Sequence, residues 1–418
     1  MHFAAIILSA ALAAQTTAFP PSSGPGLTVE QAVASALRDN PAILAARRAL
    51  DVSRGRRLQL ESVPDPEIVF SREGLPLGRR GGEESEINLG IEQSLEFPGK
   101  RPLRGKIGRY GEEIARLDLE RLQVVLGAEV KKAYYRVLFR LRTIALLETN
   151  MALLDRVLEA ARMRYEAGSV PYLDVLRAEV EKVKARNDLI ERRKVLAAEK
   201  IRLNLLLGRQ GNEPLELLSA FSFAPIEKDL ASVRSELMAA SRTIRIETVR
   251  RDQAAAGLAL SRKSLLPDFS VGLYLPSVRT GGWGFEISMS LPFVWKNGRR
   301  GETIEAEARS EISSISAAAV RTRVAAGIEN AFAGLKAVEE QVRLFEENLL
   351  DDVERQIEAG LADYRNGRLD SLGLIDLYRT AAEARAEYWR SLLLHEEARA
   401  ELERSGEDYG EMGESHED

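Results

Sequence analysis

The side chains best suited to metal, thiol or acid–base chemistry are scarce and scattered in this sequence. It holds no cysteine and only three histidines, His2, His395 and His416, each far from the others. Without cysteine there is no disulfide, no thiol nucleophile, no thiolate metal site and no lipid-bearing N-terminal cysteine. Three isolated imidazoles form no ligand cluster, so no metal site is expected, and His416 reads as incidental. No histidine stands at a spacing that would activate a neighbouring nucleophile or pair it with a carboxylate. No glycine-rich phosphate loop opens a helix, and the segments at Gly99 and Gly298 are too short for one. These residues exclude most catalytic classes; no catalytic residue and no cofactor are expected. What stands out instead is a pair of glycine-centred segments, Tyr165-Glu166-Ala167-Gly168-Ser169-Val170 and Tyr364-Arg365-Asn366-Gly367-Arg368-Leu369.

Composition describes the elements that must carry them. Of 418 residues, 29% are charged, 45% hydrophobic and only 6% aromatic, a balance suited to long solvated helices. The net charge is -5, with both signs interspersed, and no basic patch marks a nucleic-acid binder. Residues 1–18 combine an apolar run with small residues and are read as a secretory signal, although only the amino terminus and His2 supply positive charge. A Pro/Gly/Ser linker follows over 19–26. Beyond it no stretch is apolar for the roughly 20 residues a membrane helix needs. Any membrane crossing must therefore use strands closed into a barrel.

Helical and strand periods alternate along the chain. Thr28 and Gln31 form a predicted capping box, and helix runs from there to about Ser62, interrupted at Asn40-Pro41. Prolines at 64 and 66 end it. Strands are expected at about 67–72 and 86–95, where Ile87, Leu89 and Ile91 alternate with polar residues. The segment 97–102 punctuates. A helix of about 60 residues then runs from Leu103 to Tyr165, longer than a compact domain can hold and suited to a coiled coil or α-barrel wall. A second helix spans about 172–207. After a linker at 214–228 the same order returns: helix over about 229–266, strands at about 269–275 and 284–291, punctuation at 297–300, a long helix over about 302–361, a turn, and a helix to about Arg404. Gly99 falls over Gly298 and Gly168 over Gly367, a spacing of about 200 residues. The chain is read as two structural repeats, 27–213 and 229–405, with an acidic disordered tail at 406–418.

Each hairpin is apolar on alternate positions, and a lone hairpin is marginal in water. Four strands cannot close a barrel, which begins at about eight in single chains, whereas three copies would supply twelve. Prolines at 64 or 66, 98, 267 and 292 stand where each helix meets a strand, as one plane of transition between strand and helix would require.

The chain resembles the TolC-like family of outer-membrane efflux factors from Leu27 to about Arg404. The likeness is carried by Leu27-Thr28-Val29-Glu30-Gln31-Ala32 with Asn40-Pro41 and by the motif from Tyr165 through Val170 to Leu176; Phe97-Pro98-Gly99-Lys100-Arg101 is similar to members serving heavy-metal pumps. The resemblance implies a mainly α fold with a small β part: a homotrimer whose twelve-stranded barrel in the outer membrane continues as a long periplasmic α-helical barrel. It also implies a periplasmic adaptor and an inner-membrane pump as partners. Adaptor docking falls on Gly168, Ser169, Val170, Gly367, Arg368 and Leu369. A periplasmic gate falls on Asp174, Tyr364 and Arg368; the family's arginine position is Leu369 here, with Arg368 beside it. Asp376 matches a lumen-facing acidic position and would become a carboxylate ring favouring cations. Metal cations or small toxic compounds are the expected cargo. The competing readings are the exit duct of a drug pump or type I secretion system, and a periplasmic coiled-coil scaffold without a pore.

Overall fold

The computed structural model describes residues 26–73, 86–275, 281–292, 296–348, 350–365 and 368–407. The signal segment, most of the first linker, the tail beyond Glu407 and Gly367 lie outside the described residues. The elements are α1 (Val29–Asp39), α2 (Pro41–Glu61), β1 (Glu67–Glu73), β2 (Glu86–Leu95), α3 (Lys100–Glu166) and α4 (Tyr172–Leu206). They are followed by α5 (Leu230–Ala240), α6 (Arg242–Lys263), β3 (Phe269–Tyr274), β4 (Gly284–Met289), α7 (Lys296–Asn348), α8 (Leu350–Arg365) and α9 (Ser371–Ser405). With 67 residues, α3 is about 100 Å long.

Local chemistry explains the boundaries. The predicted capping box is formed: the Thr28 hydroxyl accepts from the Gln31 N–H and the Gln31 side chain from the Thr28 N–H. Asn40 caps α2, where Pro41 at the first position lacks a donor that the helix would leave unused anyway. Two readings of the sequence need correction. The segment 229–266 is two helices, because Ser241 adopts an extended conformation and its hydroxyl accepts from the Ile244 N–H, starting α6 afresh without any proline or glycine to announce it. The residues Lys100-Arg101 and Gly298-Arg299-Arg300 do not punctuate; they already belong to α3 and α7. Pro102 is tolerated because the first turn's N–H groups have no intrahelical partner.

One antiparallel sheet has the order β1-β2-β3-β4, so the two hairpins pair through β2 and β3. Its register sorts the side chains. Ile68, Phe70, Leu89, Ile91, Val271, Leu273, Phe285 and Ile287 share one face. Glu67, Glu92, Ser270, Tyr274, Glu286 and Ser288 share the other.

The helices keep the same lateral order as their strands: α2 packs on α3, α3 on α6 and α6 on α7, while α4 and α9 flank α3 lower down. The main core gathers Ala32, Ile43, Val130, Tyr134, Leu203 and Leu207 around a belt where α1, α3 and α4 meet. There the Tyr134 hydroxyl donates to the Leu27 carbonyl and accepts from the Ser219 N–H. Tyr135, Phe221 and Trp389 form a chain of ring contacts at 5.6 and 5.9 Å, tying the chain after α4 to α9. Ion pairs Lys131–Glu403, Lys132–Glu401 and Arg136–Glu397 stitch α3 to α9. Helix junctions are closed from afar: Asn40 Nδ2 donates to the Leu206 carbonyl at 2.9 Å. Glu407, buried, accepts from the backbone N–H groups of Arg242 and Thr243 at the start of α6.

Candidate functional surfaces: the sheet and the helical tips

The sheet exposes its apolar face. Ile68 is 78% exposed, Phe70 67%, Phe285 67% and Ile287 63%. A row of large apolar side chains this size, bare in water, marks a surface meant for another apolar phase. Among the described residues, the outer edges of β1 and β4 have no strand beside them. The opposite face is polar. Glu67, Glu92, Gly272 and Glu286 stand in register at one level across all four strands. Glu92 bonds the Ser270 hydroxyl, and the Tyr274 hydroxyl donates to Glu286 at 2.9 Å. The Tyr274 ring lies over Gly90 and Gly272, where an added Cβ would meet it at 2.4 and 2.9 Å. No Lys or Arg occupies this face within the four strands.

Where sheet meets helices, Lys100 is the organising group. Its buried ammonium donates to both oxygens of Asp268 at 2.8 and 2.9 Å and to the Leu266 carbonyl at 2.8 Å, while the Phe97 N–H also donates to Asp268. Burial works to raise the Asp268 carboxyl, but the bonds from Lys100 and Phe97 outweigh it and hold the group below the ordinary carboxylate value. Sequence reasoning placed Lys100 in a punctuation motif and missed this clamp. The only signal available was a lysine just behind a proline–glycine pair.

At the far end the described tip residues, Gly168, Ser169, Val170, Arg368 and Leu369, lie between α3 and α4 and between α8 and α9. Gly168 has φ +70° and donates to the Tyr165 carbonyl, Ser169 donates to that of Arg164, and Val170 leads into Pro171. Between α8 and α9, Arg368 and Leu369 both donate backbone N–H groups to the Asp363 carbonyl, and Asp370 caps α9. Leu369 packs against a cluster of Val157, Leu158, Val175, Tyr364, Leu374 and Ile375. Tyr364 is thus brought beside the start of α4, with Arg164 over its ring at 5.5 Å and, among the described residues, no hydrogen-bond partner for its hydroxyl. Asp174 lies 3.8 Å from Arg177. The exposed Arg368 guanidinium is 3.8 Å from Asp363. Within one chain the structure therefore does not pair Asp174, Tyr364 and Arg368 with one another. Asp376 is 60% exposed and sits 2.5 Å from Arg379, a partner three residues on that the sequence reading did not consider.

His395 is fully buried against the Phe223 ring, and no group of three metal-ligating side chains occurs among the described residues. No helix among them is long and apolar enough to cross a membrane.

The family model described as outer membrane efflux protein matches residues 32–209 and 233–405. The chain belongs to the outer membrane efflux protein family. The cobalt-zinc-cadmium resistance protein CzcC of Cupriavidus metallidurans is 24% identical over 378 residues, spanning 88% of this chain and 87% of that one. The outer-membrane channel OprN superposes with a TM-score of 0.77 at 20% identity, covering 90% of this chain and 89% of its own. CusC, described in terms of transmembrane channel formation, gives 0.76 at 16% identity, covering 90% and 91%. This efflux protein therefore shares a channel fold with both, and its exposed sheet face matches a family named for the outer membrane.

Proposed function

We propose that three copies of this chain close their sheets into one twelve-stranded barrel in the outer membrane, continued into the periplasm by an α-helical barrel. The carrying observation is the sheet itself: one bare apolar face, one polar face and two open edges. Edge strands left unpaired are a liability that closure with neighbouring copies removes. The helices support the same arrangement. On α2, Leu44, Val52 and Leu58 are exposed, and on α7, Ile304, Ile312 and Ile315. Along α4, Leu173, Leu176, Val180, Val183 and Ile190 recur at spacings of three, four, three and seven residues and are exposed, a heptad-like seam fitted to another helix. In the packing order α2, α3, α6, α7 the outer helices are α2 and α7, which belong to the outer strands β1 and β4. The halves 27–213 and 229–405 are read as a duplicated unit, each half supplying one hairpin and two helical arms.

The conduit passes cargo passively between an inner-membrane pump with its periplasmic adaptor and the exterior. Metal cations are the cargo we favour, supported by the likeness to the cobalt-zinc-cadmium resistance protein CzcC and by the row Glu67, Glu92, Glu286 on the face that closure would turn inward. Charged rings of one sign select the opposite ion in pores generally. The tips at Gly168, Ser169 and Val170, and at Gly367, Arg368 and Leu369, are the proposed adaptor contacts. Asp174, Tyr364 and Arg368 are the proposed latch, acting between copies.

The test is fractionation followed by planar-bilayer recording. The conduit reading expects a detergent-extracted outer-membrane trimer that conducts ions. A monomer released without detergent would overturn it.

A further inference from the structure

The motif around Phe97 has a second charged residue that the Lys100 clamp leaves unused. Between the end of α2 and the start of α3 lies an open hollow of about 610 Å³, lined by Glu61, Glu96, Phe97, Arg101, Pro102 and Arg109. Phe97 tells which side of the protein it opens on. Its ring stacks on Phe269 at 6.5 Å, and Phe269 is in register with Leu95 and Met289 on the apolar face. The hollow therefore sits directly at the foot of that face.

Its carboxylates are already matched. Glu96 pairs with Arg104 at 2.8 Å, and Glu61 pairs with Arg57 at 3.1 Å and Arg109 at 2.7 Å. Arg101 is the remainder. Its Nε donates to the Glu61 backbone carbonyl at 2.8 Å, which fixes the plane of the guanidinium. Among the described residues the group forms no ion pair, and the residue is exposed. A guanidinium anchored through Nε keeps its outer N–H groups free for two oxygens of one phosphate, a geometry an ammonium cannot reproduce.

We propose that this hollow binds the phosphodiester headgroup of a phospholipid, held by Arg101, with the acyl chains running on over Phe97, Phe269 and the apolar sheet. The proposal rests on the conduit reading, since the face must meet lipid. Aromatic side chains at the hydrocarbon boundary and cations just beyond it are the arrangement a leaflet imposes. The apolar continuation is what selects a lipid over a free anion.

The test uses the full-length protein in dodecyl maltoside micelles containing phosphatidylglycerol, with bound lipid counted by native mass spectrometry. Arg101→Gln is expected to weaken binding about tenfold, the loss of one charge-assisted contact. Arg101→Lys should fall between the two, and Lys106→Gln, a nearby exposed cation, should leave binding unchanged. Equal binding by Arg101→Gln and wild type overturns the proposal; so does an equal loss in Lys106→Gln, or full displacement of the lipid by millimolar inorganic phosphate. Conductance of each preparation separates the two readings. A wild type that does not conduct refutes the conduit, whereas conducting variants with unaltered lipid binding refute only this site.

Discussion

The Nζ of Lys100 lies 2.8 Å from Oδ1 of Asp268, joining the first turn of α3 to the entrance of β3 across 168 residues of sequence. Lys100 is 7% exposed, so its charge depends on these partners rather than on water. The pair binds the two hairpins at the level where strands become helices.

Asp268→Asn is expected to leave a buried ammonium with the Leu266 carbonyl as its main support. Removing one partner of a fully buried pair costs about 3–5 kcal/mol; because the Asp268 side chain is 45% exposed, the expected loss here is about 1–3 kcal/mol. Thermal melting of the purified protein reads it directly. A melt identical to wild type would remove the clamp from the account.

Acid should weaken the protein through two carboxylates. Burial works to raise Glu401, but Arg404 and Lys132 outweigh it and hold the group below its ordinary 4.5; Asp268 is likewise held below 3.8. Each binds fewer protons folded than unfolded. Their contribution is complete above the ordinary values and is lost as pH falls through the lowered ones. Circular dichroism from pH 6 to pH 2 should show stability declining mainly below about pH 4, and Glu401→Gln should make that decline shallower. An unchanged slope in the variant would reject Glu401 as a contributor.

Two glycines with positive φ should respond differently to alanine. Gly168, at φ +70°, has open space around an added Cβ, so only backbone strain of about 1–2 kcal/mol is expected. Gly208, at φ +74°, would press its Cβ to 2.5 Å from the Asp39 carbonyl oxygen, and more than about 3 kcal/mol is expected. Comparable melting points for the two variants would contradict the packing described.

The mainly helical fold with one small antiparallel sheet was legible because the apolar period changes from 3.6 to two at Glu86 and again at Phe269. The cap at Thr28 was legible because its chemistry is contained within four residues, whereas Asn40-Pro41 read only as an interruption and its cap came with the structure. The break at Ser241 was not: its local cap to the Ile244 N–H has no proline or glycine to announce it, and its other bond, to the Gly406 carbonyl, is far away in sequence. The partners of Lys100 and Arg101 are tertiary facts; nothing local distinguishes these two adjacent cations, yet one bonds Asp268 and the other the Glu61 carbonyl. Residues of the proposed latch came from resemblance, and pairing between copies lies beyond any single chain.

That latch is open to measurement. Asp174→Ala combined with Arg368→Ser is expected to raise single-channel conductance in planar bilayers. Conductance equal to wild type would count against any gating role for the pair.

On the proposed closure, cation preference should follow the carboxylates it turns inward. Glu92→Gln together with Glu286→Gln is expected to lower the cation-to-anion permeability ratio obtained from reversal potentials in a salt gradient. A ratio that stays fixed would show that selectivity, if present, is set elsewhere, and Asp376 would be next to test.

Glu407 carries an implication about timing. The N–H groups it accepts from, at Arg242 and Thr243, are made 165 and 164 residues earlier in the chain. A polypeptide threaded across a membrane from its amino end delivers α6 long before the carboxylate that completes it. Until it arrives the Arg242 and Thr243 N–H groups lack this acceptor and only the Ser241 hydroxyl caps α6, so the start of this helix completes its bonds late in synthesis.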